Sequence, residues 1–108
     1  MRVISLGRLN VPTPGTPVPL TTDRSIRCAW IRAQVIAGLT GKAFLGTPDL
    51  NTATLAGVIK EFWPNPSGGI SDSLEIRSAE DNNIYTLADL AIDAAVAGEG
   101  LLISYGEA

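Results

Sequence analysis

The sequence predicts an all-β protein: a single β-sandwich or jelly-roll-like barrel with a proline-rich N-terminal arm. Three observations carry that expectation. The regular segments are short and bounded by Gly, Pro, Asn or Asp, at the spacing of a sandwich or barrel. The clearest of them alternate between two faces with a period of two. Pro12, Pro14, Pro17 and Pro19 crowd one stretch, removing backbone donors and excluding a central strand there. At 108 residues, the chain is one domain, large enough to bury roughly 65% of the surface its unfolded form exposes. Residues 1–14 read as an extended arm or edge strand, and residues 15–108 as a single β-sandwich domain.

Taken in order, residues 2–8 are short and partly β-branched, and NVPTPGTPVPL follows. Such a segment either lies on another molecule or wraps as ordered coil on its own domain. In RCAWIRAQVI, Ala29, Ile31, Ala33 and Val35 share one face, opposite Cys28, Trp30, Arg32 and Gln34. Trp30, inside a strand, is expected in the core with its indole N–H on a carbonyl. GLTG breaks the alternation and KAFLG resumes it, which predicts a hairpin with a glycine-containing loop. TPDLN is turn chemistry. In TLAGVIKEFW, Leu55, Val58, Ile59 and Phe62 fit helical spacing, but Gly57 weakens a helix and the segment is short, so a strand is preferred. PNPSGG is a loop. ISDSLEIRS sets Ile70, Asp72, Leu74 and Ile76 against Ser71, Ser73, Glu75 and Arg77, a half-buried strand.

The closing stretch, LADLAIDAAVAGEGLLISY, is the hardest to read. By propensity its first half is helical, and Gly98 could cap such a helix. A helix would, however, set Asp89 and Asp93 one turn apart with no basic partner. Leu90, Ile92, Ala94 and Val96 also alternate with Ala91, Asp93, Ala95 and Ala97. Residues 90–96 and 101–105 are therefore read as the last two strands, a hairpin turning at Gly98-Glu99-Gly100.

Composition narrows function. A net charge of −3 with eight scattered basic residues offers no electrostatic footprint for nucleic acid. No apolar run approaches the roughly 20 residues of a membrane span, and the opening MRVISLGRLN is too weakly apolar for a signal peptide. A hydrophobic share of 45% argues against disorder, and a charged share of only 18% hints at surface covered by a partner. Cys28 is the sole cysteine, read as a buried, inert thiol.

Chemistry is thin. The chain has no histidine, so Ser-His-Asp and Cys-His arrangements are impossible. On a strand, Asp89 and Asp93 would lie about 13 Å apart, too far for a cooperating carboxylate pair, and solvated charges at strand ends are the commoner case. Glu80, Asp81, Asn82 and Asn83 could offer oxygens to calcium, but EF-hand spacing is absent. GLTGK lacks the spacing of a phosphate loop and has alanine after Lys42. No catalytic residue, cofactor or metal is expected, and no enzymatic activity. Phe62 and Trp63 lead into a proline- and glycine-rich loop, where they either close one end of the fold or form an exposed anchor for a protein or sugar.

GTPVPLTT, RCAWIRAQ, GKAFLGTPDLN and LADLAIDAAVAGEGLLISY, in that order, resemble the motifs of a family of small all-β structural proteins of tailed bacteriophages. The resemblance covers most of the chain after Gly15 and rests on turn glycines and strand alternation. It is closest to the capsid decoration, or cement, proteins. It implies a virion protein, made in the host cytoplasm and bound to the outer capsid surface, commonly as a homotrimer. The implied partner is the major capsid protein, whose subunits it clamps without chemistry, with no nucleic-acid or membrane partner. The contact surface expected on this reading is the arm, at Arg2, Val3, Ile4, Leu6, Val11, Pro12 and Pro14, together with Phe62 and Trp63. Deleting residues 1–11 is then expected to abolish capsid binding and leave the domain folded. A minor neck or tail protein, and a carbohydrate-binding module with Trp63 as stacking platform, are the alternatives.

Overall fold

The computed structural model describes residues 2–36, 38–64, 73–77 and 85–108. They form two antiparallel sheets, connected by turns and one short 3₁₀ segment, Leu87–Asp89. The first sheet runs β1 (Arg2–Asn10), β9 (Gly100–Glu107), β3 (Arg27–Val35), β6 (Ser73–Arg77), with β7 (Tyr85–Thr86) also paired to β3. The second runs β2 (Val18–Pro19), β8 (Ala91–Ala94), β4 (Ala43–Gly46), β5 (Val58–Phe62). The all-β expectation is met, and the ambiguous segment at residues 54–63 ends in a strand.

The two sheets bury a common core. The first contributes Ile31, Ala33, Val35, Leu101, Ile103 and Tyr105, and the second Ala43, Leu45, Phe62, Ile92 and Ala94. Val11, Leu20 and Leu87 join the same cluster. Fully burying a side chain of the Leu, Ile or Phe class is worth about 1.5–3 kcal/mol, so this shared layer holds the sheets together.

Alanine-rich residues 91–94 are strand rather than helix because they lie inside a sheet, hydrogen-bonded on both flanks. Ile92 stands opposite Leu45 and Val18, and Asp93 opposite Phe44. The two predicted hairpins are corrected. β3 and β4 lie in different sheets, and so do β8 and β9. In each case the chain crosses the core instead of turning back beside itself.

Two side chains of β3 also depart from the simple alternation. A register shift between Cys28 and Trp30 is a bulge that resets the phase of the strand. Cys28 thereby joins Ile31 in the core, fully buried, and burial pushes its thiol up to about 11. Trp30, expected in the core, is half-buried opposite Gly106, in the phase of the exposed Arg32 rather than of buried Ile31. In β6, Leu74 and Ile76 are half-buried and Ser73 and Glu75 exposed, as the alternation predicts; Ile70, Asp72 and the calcium reading at residues 80–83 lie outside the described residues.

Residues 2–10 form an edge strand paired along its length with β9, from Arg2 opposite Glu107 to Asn10 opposite Gly100. A bulge at Leu6 interrupts the register between Ser5 and Gly7. Gly7 takes φ +69° there, a region costly to residues with a Cβ, and its N–H donates to Ser5 Oγ at 3.1 Å. Val11 follows, fully buried. Its N–H donates to Glu99 O and its carbonyl accepts from Gly98 N, both at 2.8 Å. Removing residues 1–11 would therefore strip an edge strand and a core side chain, contrary to the expectation that the domain stays intact.

Candidate interaction surface

The outward side of the second sheet carries the features that point away from the core. Because Ala43, Leu45, Ile92 and Ala94 face inward, period-two alternation turns Phe44 and Asp93 outward. Phe44 stands opposite both Asp93 and Glu61, which makes one row across β8, β4 and β5. That row is buried at Phe44 and Asp93; Lys42 and Trp63 lie in the next row on the same side, just past the ends of β4 and β5.

Trp63 is 57% exposed, whereas its neighbour Phe62 is fully buried. Strand alternation separates them: Phe62 pairs with Ala43 on the core side, so the next residue must leave it. The Lys42 ammonium sits 4.1 Å from the centre of the indole ring and 3.7 Å from Glu61 Oε1. Cation–π attraction at an exposed site is worth about 0.5–1 kcal/mol, enough to bias the ring orientation. Of the predicted aromatic pair, one residue is core and one is surface.

At the opposite edge of the same sheet, the proline segment is tied down by a buried carboxylate. Asp93 is 1% exposed, not a solvated charge at a strand end, and its Oδ1 accepts from Gly15 N at 3.1 Å and from Ala94 N at 2.8 Å. Gly15 reaches it in a turn closed by Thr16 N donating to Thr13 O at 3.1 Å, with Gly15 at φ +89°. Pro12 and Pro14 are exposed on this turn. Sequence reasoning missed the role of Asp93, although a lone acid inside an apolar strand was its available signal. Asp89, by contrast, is exposed and pairs with Arg24 at 2.6 Å, the basic partner that local spacing did not supply.

The remaining predicted contact residues lie on β1, in the other sheet. Val3 is 65% exposed, Arg2 is exposed and bridges Glu107 at 3.1 Å, and Ile4 and Leu6 are half-buried against the core. The predicted set thus falls into three groups. Pro12, Pro14 and Trp63 lie at the two edges of the second sheet, Arg2, Val3, Ile4 and Leu6 on the edge of the first, and Val11 and Phe62 inside the protein.

Glu99 clamps the junction between the sheets. Its carboxylate accepts from Thr40 N, Gly41 N and Thr40 Oγ1, the last at 2.6 Å. Partial burial pushes its pKa up, but these hydrogen bonds and Arg8 together outweigh that and hold it below the ordinary glutamate value. Among the described residues no group of acidic, cysteine or histidine side chains is placed to hold a metal ion, and no helix is long and apolar enough to cross a membrane. No family model matches the chain, and comparison with curated proteins and with solved structures finds no match.

Proposed function

We propose that the chain is a β-sandwich decoration protein of a tailed-bacteriophage head, bound as a homo-oligomer, with a trimer favoured, to the outside of the lattice of major capsid protein. The observation that carries this reading is Trp63. A large aromatic side chain left more than half exposed, held by Lys42 beside an ion pair, is the kind of anchor that dominates protein interfaces. The resemblance of its motif order to that of phage structural proteins points to the same assignment. A standard interface buries on the order of 800 Å² per partner, and the proline turn at residues 12–17, already ordered on Asp93, would lose little entropy on docking. Such a protein adds its interface free energy to the resistance of the head against expansion, and needs no catalytic group.

Copy number in purified particles, measured by quantitative mass spectrometry against the major capsid protein, tests the proposal. Near-stoichiometric amounts are expected. A few copies per particle would move the protein to the neck or tail. Its absence from particles would refute the virion role and favour a second reading, a carbohydrate-binding module stacking a sugar on exposed Trp63. That reading expects hits on a glycan array that Trp63→Ala abolishes.

A further inference from the structure

We propose that β1 is an exchangeable strand: residues 2–10 of one copy leave their own β9 and pair with the β9 of a second copy, so that this edge recognises the chain itself. The complementarity is already on display. The register from Arg2 opposite Glu107 to Asn10 opposite Gly100 serves equally well between two molecules, since exchange remakes every bond it breaks outside the hinge.

Three features single out this strand. Among the described residues, β1 sits at the end of its sheet with β9 as its one strand partner, so its exchange breaks the pairing with a single strand, which the second copy restores. Its inward side chains Ile4, Leu6 and Leu9 are only half-buried against the core. The segment that joins it to the other sheet holds Pro12, Pro14 and Pro17, whose fixed φ suits an extended chain as well as the turn observed, in which Pro14 precedes Gly15 at φ +89°.

Opening that turn breaks Thr16 N to Thr13 O and Gly15 N to Asp93 Oδ1, while buried Val11, bonded to Glu99 O and Gly98 N, travels with β1 and remakes those contacts on the second copy. Fully extended in polyproline geometry, at about 3.1 Å per residue, the segment from Val11 to Val18 spans roughly 22 Å. The shortest dimension of the molecule is 20 Å, so an opened hinge carries β1 clear of its own body. The inference stands apart from the capsid proposal, because the partner is a second copy with or without a particle.

Ser5 and Ser104 stand opposite each other across β1 and β9, which supplies the test. Ser5→Cys and Ser104→Cys chains are unfolded together, refolded at increasing concentration and oxidised, and linked peptides are identified by mass spectrometry. The expected result is a dimer joined through positions 5 and 104, its share rising several-fold with each tenfold rise in concentration. The double variant should shift likewise from intrachain to interchain linkage. If the double variant closes only within one chain, and the mixture gives only like-with-like disulfides at every concentration, the proposal is overturned. Should either serine variant fail to fold, Arg8→Cys and Leu102→Cys, which are also opposite one another, replace the pair.

Discussion

Truncating Phe62 and Trp63 separately distinguishes the core from the surface within two adjacent residues. Phe62 is fully buried, and Phe→Ala at such a site costs about 3–5 kcal/mol through lost transfer and the cavity left behind. Unfolding entropy of about 2.1 cal/mol/K per residue over 108 residues converts a 4 kcal/mol loss into a fall in Tm of about 18 °C. Trp63 is 57% exposed, so its truncation returns only roughly 100 Å² to water, at most about 2.5 kcal/mol and less against a compact denatured state. Its expected cost is about 1–2 kcal/mol, or roughly 4–9 °C. Binding should rank the other way. As an anchor worth 2 kcal/mol or more, Trp63→Ala weakens association about 30-fold, while Phe62→Ala at low temperature binds in proportion to its folded fraction. The assay is a circular-dichroism melt together with co-sedimentation on particles stripped of the protein. A Trp63→Ala variant that binds like its parent would refute the anchor role, and equal melting losses would refute the burial assignment.

Three further outcomes follow from single side chains. Glu99→Gln should flatten the acid limb of stability: the folded-state pKa lies below the ordinary 4.5, so the parent's extra stability is full above that value and is lost as pH falls through the lower folded value. Melts from pH 7 to pH 2.5 should therefore show parent and variant converging at the acid end. Gly100→Ala should cost about 1–3 kcal/mol or more, because its Cβ would clash with the Leu9 carbonyl oxygen and force β1 from β9; a denaturant midpoint close to the parent's would contradict that packing. Leu55 is the one described non-glycine residue with positive φ, at +64°, and it is exposed. Leu55→Asn, which tolerates that region, should gain about 0.5–1 kcal/mol in the same titration.

Local pattern reveals strands better than it reveals their neighbours. Ile92, Ala94, Leu101 and Ile103 are inward-facing by alternation, and all four are buried in the core. Yet a hairpin would set those pairs side by side in one sheet, whereas the observed crossing sets them face to face across the core. Both arrangements bury the same side chains, so alternation cannot choose between them. The same degeneracy produced the expected hairpin between β3 and β4. The available discriminator was the outward side of β8, where Ala91 and Asp93 are buried too, as suits a central strand and not the margin of a terminal hairpin. The bulge that sends Cys28 inward was illegible for another reason: a register shift depends on the partner strand, here the Gly106 region of β9. Of the candidate surface, Trp63 was legible from its place beside a proline-rich loop. The Asp93–Gly15 tie was not, because 78 positions separate the two residues.

The misplaced hairpin and the choice of edge strand over free arm at residues 2–10 have one physical origin. A strand has two hydrogen-bonding edges, and β9 gives one to β3 and the other to β1. Had β8 folded back onto β9, it would have taken the second edge and left residues 2–10 free to be an arm. With β8 in the other sheet, that edge is open, and the N-terminal segment fills it. Deleting residues 1–11 should therefore expose a row of unpaired β9 donors and acceptors and remove Val11 from the core, a loss of about 1.5–3 kcal/mol before any strand contact is counted. The truncated chain is expected to lose its cooperative melt or to self-associate through the bare edge, read by calorimetry and light scattering. A truncated chain that stays monomeric and melts like the parent would show that β1 contributes nothing to the fold, and would restore the free-arm reading.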